Sequence, residues 1–213
     1  DADNLVSGTL NQFRYSFPNS IDLSEYECSI ASSFLYYSWY NISASLNNNT
    51  FQLIVPTGAG STTYNIILPD GAYNISTLNS YLQYWFIANN LYITNNTSGL
   101  NTYYASFQLS SQSYQVQFIS TGMPTITPSG YTNAGITWPT TGQQAMQLTI
   151  LSTNTFSQII GFSAATYPTL PTITGSTYTM ASDLVPNVNP QNTIQIRLSC
   201  LSNPLSTSNN GFL

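Results

Sequence analysis

Apolar and polar residues alternate along much of this chain. The clearest run is residues 193–201, Thr-Ile-Gln-Ile-Arg-Leu-Ser-Cys-Leu. Ile194, Ile196, Leu198 and Cys200 fall on one face and Gln195, Arg197 and Ser199 on the other, the period of a strand with one buried side. The same pattern, enriched in aromatic and β-branched residues, predicts strands at 27–41, 50–55, 63–68, 103–109, 114–120 and 147–151. A short edge segment at 13–17 is stopped by Pro18, which has no N–H for a ladder. Ser111-Gln112-Ser113 turns one strand into the next. One segment has a different period. Leu78, Tyr81, Leu82, Trp85 and Phe86 recur at i, i+3, i+4, i+7 and i+8, which predicts an amphipathic helix over 76–86. Ser76 is its expected N-cap, behind a Pro69-Asp70-Gly71 turn. A helical turn is expected at 155–160, ended by Gly161.

Between these elements lie two stretches that read as long loops. Residues 121–144 hold Pro124, Pro128, Pro139 and four glycines, and residues 163–192 hold Pro168, Pro171, Pro186 and Pro190. Loops of that length are usually functional or disordered. Tyr131, Trp138, Tyr167 and Tyr178 within them argue for docking against a surface. Many short strands, one minor helix, no internal repeat and no visible domain boundary predict a single all-β domain over residues 1–213, its core at about 10–201. The expected fold is a jelly-roll β-sandwich with one short amphipathic helix and long loops. A chain of 213 residues is long enough to bury a core without disulfide staples.

Composition then narrows the chemistry. The chain has no lysine and no histidine, two arginines (Arg14 and Arg197), seven acids and a net charge of −5. Charged residues make up 4% of it, against roughly 25% in an ordinary domain. No imidazole is present for general-base work, no amine for a Schiff base, and no Ser-His-Asp or Cys-His arrangement can form. Two cysteines cannot close a zinc site. Nucleic acid would meet no positive footprint. No run of about 18 apolar residues predicts a membrane span. Neither an enzyme nor a cofactor is expected. Asn, Ser, Thr, Gln and Tyr supply polarity in place of charge. They hydrate well, and they hydrogen-bond other protein surfaces without ionic screening. Such a surface suits a protein that sits permanently against neighbours.

Several residues stand out. Arg14 and Arg197 each need an acid or carbonyls, in this chain or in a neighbour. With Tyr131, Trp138, Tyr167 and Tyr178 they are the candidates for assembly or surface contact. Asp22, Glu25 and Glu27 cluster before the first long strand; a solvated approach to the strand is the plainer reading, and calcium at a subunit contact the sharper one. Cys28 and Cys200 lie in strand-like text near opposite ends and would be neighbours if the first and last strands pair; two buried free thiols is the simpler reading. The sequons at Asn41, Asn48, Asn74, Asn95 and Asn96 matter only in a secretory compartment. Uncharged, Tyr- and Asn-rich sandwiches also serve as lectins and adhesins, so a carbohydrate-binding module is the rival reading.

The order of five short motifs carries a resemblance. They are Gln12-Phe13-Arg14-Tyr15-Ser16-Phe17-Pro18, then Tyr36-Tyr37-Ser38-Trp39-Tyr40-Asn41-Ile42-Ser43, then Leu68-Pro69-Asp70-Gly71-Ala72-Tyr73-Asn74-Ile75-Ser76-Thr77-Leu78-Asn79, then Ile159-Ile160-Gly161-Phe162 and Asn192-Thr193-Ile194-Gln195-Ile196. In this the chain resembles the penton, or minor capsid, proteins of virophages, Polinton-type viruses and their giant-virus relatives. The resemblance runs from about residue 10 to 201. It implies a single jelly roll upright on an icosahedral shell, with five copies closing each fivefold vertex beside a double jelly-roll major capsid protein and other minor capsid proteins. It implies no enzyme activity, no cofactor, and a place in the virion after assembly in the host cytoplasm. The chain departs from the family in its short ends, without a basic amino-terminal arm.

Overall fold

Alternation builds the centre of the molecule. In the computed structural model, which describes residues 5–9, 12–15, 40–172 and 176–188, the chain is mostly β-sheet with few helices, as an all-β sandwich requires. It divides into two units, Asp1–Tyr36 with Thr193–Leu213, and Tyr37–Asn192. In the first, β1 (Leu5–Thr9) and β2 (Gln12–Tyr15) form an antiparallel hairpin with an irregularity between Leu5 and Ser7.

The second unit carries β3 (Thr50–Thr57), β4 (Gly60–Ile67), α1 (Ile75–Ala88), β5 (Ile93–Asn95), β6 (Asn101–Thr102), β7 (Ala105–Leu109), β8 (Val116–Thr121), β9 (Tyr131–Asn133), β10 (Gln147–Thr149), α2 (Phe156–Ile160), β11 (Thr166–Tyr167) and β12 (Thr177–Ala181). Its described strands form a four-stranded sheet in the order β11-β10-β3-β4, a three-stranded sheet β12-β8-β7 and a small sheet β6-β5-β9, all with antiparallel neighbours.

The two main sheets meet through their period-two faces. Phe51, Leu53 and Val55 of β3 are buried, as are Phe107 of β7 and Val116 and Phe118 of β8. Phe51 lies edge-on to Phe107 at 5.8 Å between ring centroids and stacks on Phe156 of α2 at 5.1 Å. Burial of each such side chain is worth about 1.5–3 kcal/mol, and edge-to-face packing adds directional preference. The strands expected at 50–55, 63–68, 103–109, 114–120 and 147–151 are thus β3, β4, β7, β8 and β10, within a few residues at their ends. The turn expected at Ser111-Gln112-Ser113 joins β7 to β8.

The helix begins earlier than expected. Its N-cap is Asn74, not Ser76: Asn74 Oδ1 accepts from the Thr77 N–H (2.8 Å) and Thr77 Oγ1 accepts from the Asn74 N–H (2.9 Å). That reciprocal pair satisfies two otherwise orphaned donors, which a cap at Ser76 would leave open. Leu78, Leu82 and Phe86 of the predicted stripe are buried together with Ile75, while Tyr81 and Trp85 are half-buried at its margin. The shorter helix α2 ends at Gly161, whose φ is 76°. A Cβ there would run into the Leu184 carbonyl oxygen as well as strain the left-handed backbone.

The stretches read as loops are not wholly loops. β9 lies within 121–144, and β11 and β12 within 163–192; β5 and β6 are further additions. Each is short and polar, so its own text shows no period; the distant strand it pairs with decides it. The strand expected at 193–201, with Arg197 and Cys200, lies outside the described residues, as do Cys28, the acids Asp22, Glu25 and Glu27, and all but the last two residues of the strand expected at 27–41. Those two, Tyr40 and Asn41, are in no strand. Of the edge segment at 13–17, residues 13–15 belong to β2 and the rest is outside the described residues. No helix among the described residues is long and apolar enough to cross a membrane.

Candidate functional site

Helix α1 is fixed to the sandwich on one side and offers aromatic side chains on another. Asn79 Oδ1 accepts the Phe107 N–H at 2.9 Å, so the helix takes up a backbone donor of β7, the last described strand of its sheet. Covering a strand edge in this way prevents it from pairing elsewhere. Strand β4, at the end of the other sheet, has such cover among the described residues only at Ile67, whose carbonyl accepts the Tyr81 hydroxyl. Leu68 N–H donates to Asn49 O at 2.8 Å. Antiparallel alternation then turns the N–H and C=O groups of Ser61, Thr63, Asn65 and Ile67 away from β3. The side chains at 61, 63, 65 and 67 are all exposed.

Between β4 and α1 lies a band of aromatics. Tyr64 meets Trp85 edge-on at 5.2 Å, Trp85 meets Phe86 at 5.6 Å, and Tyr81 sits 6.0 Å from Tyr84. Tyr81 donates its hydroxyl to Ile67 O at 2.9 Å, tying helix to strand edge. Ile67 and Tyr84 remain 61% and 64% exposed. Burial, and then the neighbouring Tyr84, raise the Tyr81 phenol pKa; burial, Tyr81 and Asp70 in that order raise that of Tyr73. These phenols stay neutral donors at physiological pH.

The carboxylates near the described surface are occupied. Asp70 Oδ1 accepts from the Ala44 N–H and Asp183 Oδ2 from the Ser163 N–H, each at 2.8 Å. The bonds from Ser163 hold Asp183 below the usual carboxylate range. A groove of about 470 Å³ runs beside the first turn of α1, lined among others by Ile75, Asn79, Phe107, Leu109, Pro186 and Val188. Among the described residues its lining offers no acid, base or thiol for chemistry.

The aromatic contact candidates fall into two clusters. Tyr131, in β9, and Trp138 both gather around the buried Tyr104: Trp138 meets its ring edge-on at 5.7 Å and donates Nε1–H to Thr127 Oγ1 at 3.0 Å. Burial, and secondarily Tyr131, push the Tyr104 phenol up to about 12. Tyr167 and Tyr178 come together beside Asp183, with Tyr167 edge-on to Phe162 at 5.2 Å. All four are half-buried against the chain's own core. Arg14 is in β2 opposite Ser7, and Arg197 lies outside the described residues. Asn41 and Asn48 of the sequons are buried, with both side-chain nitrogens donating to carbonyls.

No protein-family model, curated protein or solved structure matches this chain.

Sequence reasoning passed over Tyr64, Ile67 and Tyr84. Two signals were available for two of them. Ile66-Ile67-Leu68 is three apolar residues in a row, and a period-two strand must turn the middle one outward. Tyr84 lies off the buried stripe of its helix. Tyr64 sits at an ordinary inward position, and only the helix packed beside it shows its place in the band.

Proposed function

We propose that this chain is a viral structural protein, a penton whose homopentamers close the fivefold vertices of an icosahedral capsid. In this reading the sandwich is a single jelly roll in the virion, in contact with a double jelly-roll major capsid protein and other minor capsid proteins, and it performs no catalysis. The observation that supports it best is a sandwich surface almost free of ions: between residues 40 and 188 the only charged side chains are Asp70 and Asp183. Solitary soluble domains keep charge on their surfaces for colloidal stability. Protein–protein contact regions instead lose charge and gain Tyr and Trp. A ring with fivefold closure joins unlike faces head to tail, and here those faces cohere through apolar contact and neutral hydrogen bonds.

Native mass measurement of the purified chain tests this. The expected mass is that of five subunits, insensitive to a tenfold rise in salt, since screening acts on exposed charges. A monomer or dimer that binds a glycan array overturns the proposal in favour of a carbohydrate-binding sandwich, and a five-subunit ring that salt dissolves overturns the neutral-contact mechanism. A gene for a double jelly-roll capsid protein beside this one is the expected genomic context.

A further inference from the structure

We infer that this chain folds outside any compartment that attaches oligosaccharides to asparagine, because the fold needs the side-chain nitrogens of two sequon asparagines, Asn41 and Asn48, unmodified. Five asparagines stand in Asn-X-Ser/Thr sequence: Asn41, Asn48, Asn74, Asn95 and Asn96. A sequon in use carries a bulky glycan and belongs on a surface. The fold separates the five into two groups. Asn74 and Asn96 are exposed and Asn95 is half-buried, and of their side-chain atoms only the carbonyl oxygens enter hydrogen bonds among the described residues. Each could give up an amide hydrogen to a sugar and keep its bonds. Asn41 and Asn48 are 3% and 4% exposed, and their nitrogens are taken. Asn41 Nδ2 donates to Tyr73 O at 2.6 Å and to Val188 O at 2.5 Å, which uses both of its hydrogens. Asn48 Nδ2 donates to Asn41 O at 2.8 Å, while its Oδ1 accepts from the Ser43 N–H at 2.9 Å.

Transfer of an oligosaccharide from its lipid diphosphate carrier joins the anomeric carbon of the sugar to Nδ2. The carrier leaves as the diphosphate, and one amide proton is lost. Asn41 would then hold one hydrogen for two carbonyls, and a glycan would have to grow from a buried atom. A buried carbonyl left without its donor keeps its full desolvation penalty. Asn41 also accepts from the Tyr73 N–H, so it joins the approach to β3, the segment before α1 and the segment after β12. The backbone beside Asn48 is pinned as well: Asn49 O accepts from the Leu68 N–H at 2.8 Å, and Thr50, the third residue of that sequon, opens β3. Transfer acts on chain that has not yet folded, so native burial protects neither asparagine. A chain that met this chemistry would be modified at the two places where its fold has no substitute. The inference stands without the penton reading, and it counts against the rival of a lectin folded in a secretory pathway.

The test makes the full chain in eukaryotic cells, once in the cytosol and once behind a cleavable signal sequence that sends it to the endoplasmic reticulum. Peptide mass mapping locates any glycan, and resistance to chymotrypsin reads folding. The cytosolic chain should have the mass of its sequence and resist the protease. The secreted chain should carry glycan at Asn41 or Asn48 and give several-fold less folded protein, since lost stability becomes lost abundance. Ser43→Ala with Thr50→Val removes both sequons and keeps both asparagines; it should fold in the cytosol and recover the folded yield on secretion, with glycan at Asn74, Asn95 or Asn96 tolerated. Wild type secreted while synthesis of the lipid-linked sugar is inhibited should recover in the same way. A secreted wild-type chain that is fully folded overturns the inference, whether or not Asn41 and Asn48 carry glycan. Failure of the inhibitor to restore folding also overturns it, because glycan would then not be the obstacle. Neither outcome bears on the penton reading, which the native mass decides.

Discussion

The centre of the sandwich and its periphery are held together by different means. In the centre, ladder bonds join β3 to β4 and β7 to β8, and β3 and β8 bury alternate side chains. In the periphery, side chains stand in for the ladder. Asn133 accepts from the Gly135 and Ile136 N–H groups and donates to Ile136 O; Ser182 accepts from the Val116 N–H and donates to Leu184 O; Gln147 donates to Pro168 O and Thr169 O. Asn41 links three segments, accepting from the Tyr73 N–H and donating to Tyr73 O and Val188 O. A neutral amide completes a buried backbone group at far lower desolvation cost than a carboxylate or ammonium would incur. The same composition that leaves the surface almost free of ions therefore also holds the irregular segments in place.

The largest effect should come from the centre. Phe51→Ala removes the ring shared by both sheets and α2, and should cost about 3–5 kcal/mol with global loss of cooperativity, read by chemical denaturation. In the periphery, Asn41→Leu strands the backbone groups of Tyr73 and Val188. A loss of about 3 kcal/mol is expected; a neutral result would mean that the periphery does not depend on side-chain amides. Gly161→Ala should cost about 1–3 kcal/mol for the left-handed backbone alone, with added displacement of residues 182–185 seen as faster local hydrogen exchange there. If exchange rises equally throughout β3 and β8, the two regions unfold as one.

Two smaller effects sharpen the contrast. Ser120, inside β8, is buried with no partner for its hydroxyl among the described residues. Ser120→Ala should be neutral or stabilising by up to about 1 kcal/mol, the opposite sign to every amide deletion outside the centre. Titration separates the regions as well. The Tyr104 pKa is raised in the fold, so its contribution is fully present below the unfolded tyrosine value near 10 and is lost as pH rises through about 12. The Asp183 pKa is lowered, so its contribution is present above the unfolded carboxylate value and is lost as pH falls through the folded one. Asp183 is exposed, so the acid effect should be the weaker. Phenolate absorbance should show Tyr104 ionising late, and Tyr104→Phe should remove that late step.

Much of the sandwich was legible before any coordinates. Alternation located β3, β4, β7 and β8 because a strand with one buried face must repeat every second residue, and the stripe of Leu78, Leu82 and Phe86 located α1 because a helix must repeat every 3.6. Gly161 marked the end of α2 because few other residues accept that backbone. The scarcity of charge, and the chemistry it excludes, is a property of the sequence alone. Tertiary structure decided the rest. Asn74 displaced Ser76 as the helix cap because a reciprocal bond with Thr77 was within reach. β5, β9, β11 and β12 exist because distant strands supply their hydrogen bonds, and polar text two to five residues long carries no period of its own. The band in which the half-buried Tyr81 joins the exposed Ile67 and Tyr84 arises only when α1 packs beside β4, since residues far apart in sequence become one surface through packing and not through their spacing.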